Sequence, residues 1–110
     1  MDNLTEMLKG LLEGVVLNIV NRGETYGYKI TRRLQDMGFS DVVDGTTYTI
    51  LTRLEKRGFL DTQRRLSENG LMRKYYTLNQ SGKKELTAFW TRWEYISKLL
   101  NNAKKEQKNG

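Results

Sequence analysis

The sequence predicts a mainly α-helical protein with one small β-hairpin, arranged as a winged helix-turn-helix followed by a C-terminal dimerisation helix. Three observations predict this fold class. Apolar residues recur at helical spacing in four segments, and the hydrophobic period changes to two after Gly58. The alternating residues 60–78 contain the turn-forming sequence Ser67-Glu68-Asn69-Gly70. A hairpin directly after a helix-turn-helix is typical of a wing.

Two helices are predicted before the central one. Leucines, valines and isoleucines at steps of three and four predict a helix over residues 4–21. Thr25 is expected to cap a second helix over about residues 26–37, with Tyr28, Ile30 and Leu34 on its inner side.

Residues 44–57 form a third predicted helix, with Asp44 as its cap and Gly58 as a left-handed stop. Its apolar residues share one face, and hydroxyl and cationic side chains occupy the other, a combination that fits a DNA groove. That second face is predicted to carry Thr46, Thr47, Thr49, Thr52, Arg53 and Lys56. The alternative is an ordinary surface helix, which would carry more glutamate and fewer β-branched threonines.

The predicted hairpin carries basic residues on both arms and near its tip. Alternation places Tyr76 towards the core with Leu78, and Tyr75 on the other side with Arg73.

Asn79 is expected to cap a final helix over residues 80–104. Its apolar residues follow steps of 3, 4, 3, 4 and 3, from Leu86 through Phe89, Trp93, Ile96 and Leu100 to Ala103. This heptad pattern favours a two-fold dimer, in which two recognition helices lie about 34 Å apart on DNA. The alternative is a helix that folds back onto its own domain.

Composition narrows the function classes. The 110 residues contain no cysteine and no histidine, which removes the usual general base, the usual zinc ligand and every Ser-His or Cys-His arrangement. We therefore expect no enzyme, no metal and no cofactor.

The net charge of +6 favours polyanionic partners. No signal peptide and no stretch of 18 apolar residues is recognisable, so we expect a soluble cytoplasmic protein without membrane contact.

These elements divide the chain into three parts. Residues 1–79 are expected to form the winged helix-turn-helix DNA-binding domain, whose first helix also reaches the dimer interface. Residues 80–104 form the dimerisation helix, and residues 105–110 form a polar tail.

Five stretches of the chain resemble the PadR family of winged-helix transcriptional regulators. They are Tyr26-Gly27-Tyr28-Lys29-Ile30, Gly45-Thr46-Thr47-Tyr48, Arg53-Leu54-Glu55, Arg73-Lys74-Tyr75-Tyr76-Thr77-Leu78, and Gly82 after Leu78-Asn79. The resemblance covers roughly residues 5–104 in the expected order.

The resemblance implies a homodimeric repressor that binds a partly palindromic double-stranded operator. It implies that Tyr28 and Tyr48 touch phosphates and that Lys74 holds the wing on DNA, although Tyr48 equally suits a core tyrosine. Threonine methyls suit thymine and Arg53 suits guanine. The full set expected at DNA is Tyr28, Thr46, Thr47, Tyr48, Thr49, Thr52, Arg53, Lys56, Arg73 and Lys74. The set expected at the dimer interface is Leu8, Leu11, Leu86, Phe89, Trp93, Ile96 and Leu100.

The C-terminal half also resembles the multidrug-sensing subgroup, which implies a flat aromatic or cationic effector held between Trp93 and its two-fold mate. The pocket expected from that resemblance comprises Met7, Gly10, Glu13, Gly14, Trp90, Trp93 and Ser97. Glu13 and Ser97 depart from the subgroup's pattern. If Glu13 faced the cavity, it would favour cationic ligands. The alternative is a packed dimer core with Glu13 at its rim.

One alternative from a different functional class remains open. A winged-helix module that binds another protein, without DNA or ligand, would have the same fold class.

Overall fold

Four helices and a three-stranded antiparallel sheet make up the described part of the chain. The computed structural model describes residues 7–8 and 10–107. In chain order the elements are α1 (Leu11–Val20), β1 (Thr25–Tyr26), α2 (Gly27–Asp36), α3 (Asp44–Lys56), β2 (Leu60–Leu66), β3 (Met72–Leu78) and α4 (Gln80–Gln107). The winged-helix fold class that the sequence predicted is confirmed.

The core lies among the first three helices and the inner face of the sheet. Leu17 of α1, Ile30 and Leu34 of α2, and Leu51 and Leu54 of α3 are almost completely buried. Their spacing of three and four along each helix brings them onto one face, as the apolar periodicity predicted. The core therefore fixes α2 and α3 relative to each other.

The predicted first helix is not continuous. Met7 and Leu8 are helical, but Gly10 has a φ of 85°, and α1 begins only at Leu11. A left-handed residue interrupts the helical hydrogen bonding, and glycine adopts this conformation without steric cost. The predicted residues 4–6, and Lys9, lie outside the described residues.

Thr25 is not the cap of the second helix. It lies in the two-residue strand β1 opposite Tyr76 of β3, and its side chain is buried. The helix begins at Gly27, after Tyr26 in extended conformation. The sheet therefore has the order β1-β3-β2, with one strand more than the predicted hairpin.

The structure confirms the predicted stop of the third helix and the predicted cap of the last one. Gly58 has a φ of 82° and follows α3, as predicted. Asn79 caps α4, because its Oδ1 accepts a hydrogen bond of 2.9 Å from the backbone N–H of Gly82. Asp44 is the exception: it is the first residue of α3 itself, Val43 occupies the cap position, and no side chain caps this end.

The wing is a regular hairpin of two seven-residue strands. Leu60 lies opposite Leu78 and Leu66 opposite Met72, so the two strands pair antiparallel as the predicted hairpin requires. Tyr76 faces the core and is 4% exposed. Burial raises the pKa of its hydroxyl.

α4 extends beyond the rest of the molecule. Its 28 residues span about 42 Å, and only Gly82 and Leu86 are buried. The helix continues to Gln107, three residues beyond the predicted end at 104, so Lys105 to Gln107 belong to the helix and not to a polar tail. Residues 108–110 lie outside the described residues.

Candidate nucleic-acid interface

The recognition-like helix α3 presents an exposed polar face opposite its buried one. Thr49, Thr52, Arg53 and Lys56 are exposed, and Thr46 is partly exposed. Because these residues alternate with the core residues at helical spacing, they form a continuous surface of hydroxyl and cationic groups. This surface has the chemistry that the sequence predicted.

Thr47 does not belong to this surface. Its side chain is 0% exposed, and its Oγ1 accepts a hydrogen bond of 2.7 Å from Oγ1 of Thr31 on α2. Thr47 lies three residues before Ile50 and four before Leu51, so helical geometry turns it towards the core. The prediction that Thr47 contacts DNA is therefore wrong, and its hydroxyl instead joins the two helices of the helix-turn-helix.

Tyr28 and Tyr48 lie beside the exposed face, and each is 50% exposed. The ring of Tyr48 rests on Gly27, where an added Cβ would be 2.7 Å from Cε1 of the tyrosine. Tyr48 is thus not a core tyrosine. Tyr28 also lies outside the core, contrary to its predicted inner position on the second helix. Its hydroxyl accepts a hydrogen bond of 2.9 Å from Arg32, a contact that raises the pKa of Arg32.

Arg53 is held by a carboxylate from α1. Its Nη1 donates a hydrogen bond of 3.2 Å to Oε2 of Glu13, and Nη1 of Arg57 lies 3.7 Å from Oε1 of the same carboxylate. The Glu13 side chain is 16% exposed and that of Arg53 is 58% exposed. The guanidinium of Arg53 therefore has a fixed contact on one side and remains accessible to solvent on the other.

Lys74 of the wing has a partner on α3. Its Nζ donates a hydrogen bond of 2.8 Å to Oε1 of Glu55, and both side chains are about one-third exposed. This ion pair connects the wing to the recognition-like helix. Lys74 therefore has a structural role in the folded chain, and its predicted contact with DNA stays a prediction.

The outer face of the sheet carries arginines stacked on tyrosines. The guanidinium of Arg73 lies 4.0 Å from the ring centroid of Tyr26, and that of Arg65 lies 3.8 Å from that of Tyr75. Arg65 also forms an ion pair with Glu24. This hydrogen-bonded guanidinium lowers the pKa of Glu24.

The residues predicted at the dimer interface divide into two groups. Leu86 is buried in the core of its own chain, Phe89 is half-buried, and Leu8 and Leu11 are also partly covered within the chain. Leu86 is thus wrongly assigned, because the start of α4 packs on the winged domain. The exposed group is Trp93, Ile96 and Leu100, together with Trp90 and Leu99 beside them.

Phe89 packs on α1 at Gly14. A Cβ added to Gly14 would lie 2.2 Å from the ring of Phe89, so glycine is required for this close approach. The next residue, Trp90, donates a hydrogen bond of 3.3 Å from its Nε1 to Oδ1 of Asn18, which lies one turn after Gly14 on α1. These contacts place α4 against α1.

Comparison with known proteins agrees with this geometry. The model of the transcriptional regulator PadR-like family matches residues 16–88. The chain belongs to this family. A Streptococcus transcriptional regulator is 37% identical with a TM-score of 0.80, over 89% of this chain and 96% of the other. A PadR-like transcriptional regulator from Bacillus cereus is 36% identical with a TM-score of 0.78, over 88% of this chain and 94% of the other. A PadR family regulator from Eggerthella lenta is 26% identical with a TM-score of 0.82, over 92% of this chain and 88% of the other.

The family defines the broad function of this PadR-like protein. PadR-like transcriptional regulators are DNA-binding proteins and not enzymes, so the chain is a DNA-binding transcriptional regulator. Within residues 7–8 and 10–107, no cluster of acidic side chains has the grouping needed to hold a metal ion. Over the same residues, no helix combines the length and apolar character that a membrane span requires.

Two residues of the predicted effector pocket are used differently in this PadR-like chain. The carboxylate of Glu13 pairs with Arg53 of α3 and with Arg57 just after that helix, and Gly14 lies under Phe89. The predicted preference for cationic ligands required Glu13 to face the cavity, whereas its carboxylate is directed to these arginines. Met7, Trp90 and Trp93 are exposed, and Gly10 is also accessible. Ser97 is partly exposed, and its hydroxyl donates to the backbone oxygen of Glu94.

Sequence reasoning missed the partners of the predicted DNA-facing cations. Glu13 and Glu55, which hold Arg53 and Lys74, carry no sequence signal that links them to those residues. Tyr26, which lies under Arg73, is the first residue of the predicted second helix, whereas the structure places it in strand β1. The alternation of β3 did place Arg73 and Tyr75 on one side, and a third strand beside them was the missing element.

Proposed function

We propose that this PadR-like regulator is a homodimeric repressor that binds a partly palindromic duplex operator, with α3 in the major groove of each half-site. The observation that carries the proposal is the exposed face of α3, where Thr49, Thr52, Arg53 and Lys56 lie on one side of a helix whose other side is buried. A helix of this kind fits the width of the major groove. Such a protein acts in the cytoplasm, where the DNA of a bacterial cell lies.

The side chains of this face divide between two kinds of contact. Threonine methyl groups meet thymine, and Arg53 meets the two acceptors of guanine. Tyr28 and Tyr48 reach phosphate oxygens with their exposed hydroxyls, and Lys56 neutralises a phosphate. Phosphate contacts set the position of the protein, and contacts with base edges determine the preferred sequence.

Dimerisation is supported by the apolar residues that α4 leaves exposed. Trp90 and Trp93 are each 39% exposed, and Ile96, Leu99 and Leu100 are about half exposed. A tryptophan in a protein core buries on the order of 150–250 Å², so this stripe favours contact with a second copy. A two-fold axis at α4 then presents two copies of α3 to one side of a duplex.

A flat aromatic effector bound between the two copies of Trp93 is the second part of the proposal. Both tryptophans of α4 are accessible, which supports a site that stacks aromatic rings at the dimer centre. An effector there changes the spacing of the two α3 helices, and it shifts the equilibrium between binding and non-binding states by its differential affinity for them.

The effector site is tested with the intrinsic fluorescence of the protein. A flat aromatic dye such as ethidium is expected to quench tryptophan emission in the wild type. In Trp93→Ala we expect the quenching to disappear, while Trp90 continues to emit. Saturable quenching that survives in Trp93→Ala places the dye elsewhere.

Operator binding is tested by the salt dependence of duplex affinity. The logarithm of the association constant should fall linearly with the logarithm of salt concentration, with a slope of about 0.9 for each neutralised phosphate. Lys56→Gln is expected to reduce that slope. Lys98→Gln, which removes the same charge from an exposed position on α4, should leave it nearly unchanged. A flat salt dependence in the wild type would contradict the proposal.

A further inference from the structure

We infer that Glu13 is a positioning residue for DNA recognition. It orients the guanidinium of Arg53 towards one base pair and, by offsetting its charge, lowers the affinity for arbitrary sequences. The inference rests on the proposed function, because it requires α3 to enter a duplex groove. Through Glu13, α1 would then help the protein to distinguish one DNA sequence from another.

The contact leaves most of the arginine free to act. A guanidinium has five N–H donors in a rigid plane, and Glu13 accepts from one terminal nitrogen, at 3.2 Å. The Arg53 side chain is still 58% exposed, so its other donors face solvent. A carboxylate on one edge fixes the plane of the guanidinium and leaves the other edge for the paired acceptors of guanine.

Glu13 is itself held in place. The ring of Phe89 from α4 covers the next residue, Gly14, and Leu12 on the other side is 7% exposed. The Oε1 atom of Glu13 is buried and accepts no hydrogen bond from the described residues, and Nη1 of Arg57 lies 3.7 Å from it. The carboxylate is therefore presented from a fixed part of the backbone, which is the condition for orienting another side chain.

The ion pair between Glu13 and Arg53 also affects non-specific DNA binding, which does not depend on the base sequence. Arbitrary duplexes are held mainly by the attraction of cations to phosphates. Glu13 faces Arg53 of α3 and Arg57 just after that helix at close range, so it offsets positive charge at the surface proposed to meet DNA. Removing its charge is expected to strengthen the attraction to phosphates on any duplex, while the oriented contact to one base of the preferred sequence is lost.

The experiment compares two variants that remove the same kind of charge. A preferred 30-base-pair duplex is first selected with the wild type from a randomised pool, and poly(dI-dC) serves as the arbitrary duplex. Glu13→Gln removes the carboxylate from Arg53. Glu85→Gln removes a similarly buried carboxylate, 19% exposed, that pairs with Arg92 within α4. Affinities for both duplexes are measured by fluorescence anisotropy at one salt concentration.

For Glu13→Gln we expect tighter binding to poly(dI-dC) and a ratio of selected to arbitrary affinity that falls by about tenfold, within the range for one guanine contact. Glu85→Gln should change both affinities equally and keep the ratio. Equal ratios in Glu13→Gln and the wild type would overturn the inference. A wild type that selects no sequence would instead overturn the proposed function itself.

A second variant keeps the test valid if Glu13→Gln unfolds. Arg53→Lys retains the charge but not the planar group, so it should lower the ratio without strengthening binding to poly(dI-dC). Where Glu13→Gln folds, adding it to Arg53→Lys should lower the ratio no further, because the two changes remove one shared interaction. A ratio that Arg53→Lys leaves at the wild-type value would also overturn the inference.

Discussion

Thr47 and Thr49 lie two positions apart on α3, and their hydroxyl groups have different partners. Thr47 is buried and bonded to Thr31 of α2, whereas Thr49 is exposed and donates a hydrogen bond of 3.0 Å to the backbone oxygen of Gly45 in its own helix. The first hydroxyl therefore belongs to the packing of the helix-turn-helix. The second is available to a ligand at the exposed face.

Replacing each threonine with valine separates stability from DNA binding, because valine keeps the shape and removes the hydroxyl. Thr47→Val is expected to lower the free energy of unfolding by about 1 kcal/mol, the net value of a buried hydrogen bond. Thr49→Val should change stability by less than about 0.5 kcal/mol, as is usual at the surface, and weaken duplex binding. Urea denaturation and anisotropy titration measure the two quantities. The reverse pattern would show that the assignment of the two faces is wrong.

Glu24 gives the pair on the outer face of the sheet a defined pH dependence. The hydrogen bond from Arg65 holds the pKa of Glu24 below its ordinary value of 4.5. Since the folded-state pKa is depressed, the pair stabilises the fold above the ordinary pKa, and this contribution is lost as pH falls through the lowered value. In Arg65→Gln, the pKa of Glu24 should return towards 4.5, which a carboxyl carbon NMR titration measures. An unchanged midpoint would exclude Arg65 as the cause.

At the scale of elements, the contact between α1 and α4 depends on the absence of one side chain. Phe89 approaches Gly14 so closely that any Cβ would overlap its ring. This crossing fixes the angle at which α4 leaves the winged domain. It therefore determines where the exposed stripe of α4 lies relative to α3.

Gly14→Ala is expected to lower the free energy of unfolding by about 1–3 kcal/mol, because the ring must shift to avoid the new methyl group. Gly45→Ala is the matched control. An added Cβ at Gly45 meets nothing within 4 Å, so alanine should be neutral or should raise stability by up to about 1 kcal/mol through its higher helix propensity. Thermal unfolding of both variants measures the difference. Equal free energies of unfolding for Gly14→Ala and Gly45→Ala would show that the close contact between Gly14 and Phe89 does not constrain the fold.

The elements that local sequence determines were predicted, and those that depend on distant residues were not. Apolar periodicity located α2, α3 and α4, and alternation with the turn sequence located the hairpin. The two-residue strand β1 is too short to have a pattern of its own, since it is defined by pairing with β3.

The same distinction applies to the candidate site. The polar face of α3 followed from its composition, but Thr47 was assigned to it because the limits of the buried face depend on how α2 packs. The ion pairs of Arg53 and Lys74 join elements far apart in sequence, so only the folded chain reveals them.

At the scale of the whole molecule, the proposed dimer depends on α4. The described residues extend over 61 × 31 × 20 Å, and the distal part of α4 accounts for much of the long dimension. Its apolar side chains lie away from the winged domain, where a second copy would cover them. The two-fold arrangement is thus the part of the proposal on which operator binding depends.

Ile96→Glu is expected to convert the dimer to a monomer, because it introduces a charge into the stripe shared with Trp93 and Leu100. Thr91→Glu introduces the same charge on the opposite face of α4, and it should leave the dimer intact. Thr91 is exposed and Ile96 is 46% exposed, so neither change disturbs the core. Sedimentation velocity at micromolar concentration measures the mass of each variant. If the Ile96→Glu variant still sediments as a dimer, the interface does not include this part of α4.

Hydroxyl-radical footprinting of the wild type on its selected duplex tests the central claim most directly. Two copies of α3 in successive major grooves should protect two segments of the duplex whose centres are about 10–10.5 base pairs apart. Both segments should lose protection together in Ile96→Glu. A single protected segment, or two segments at a different spacing, would contradict the account.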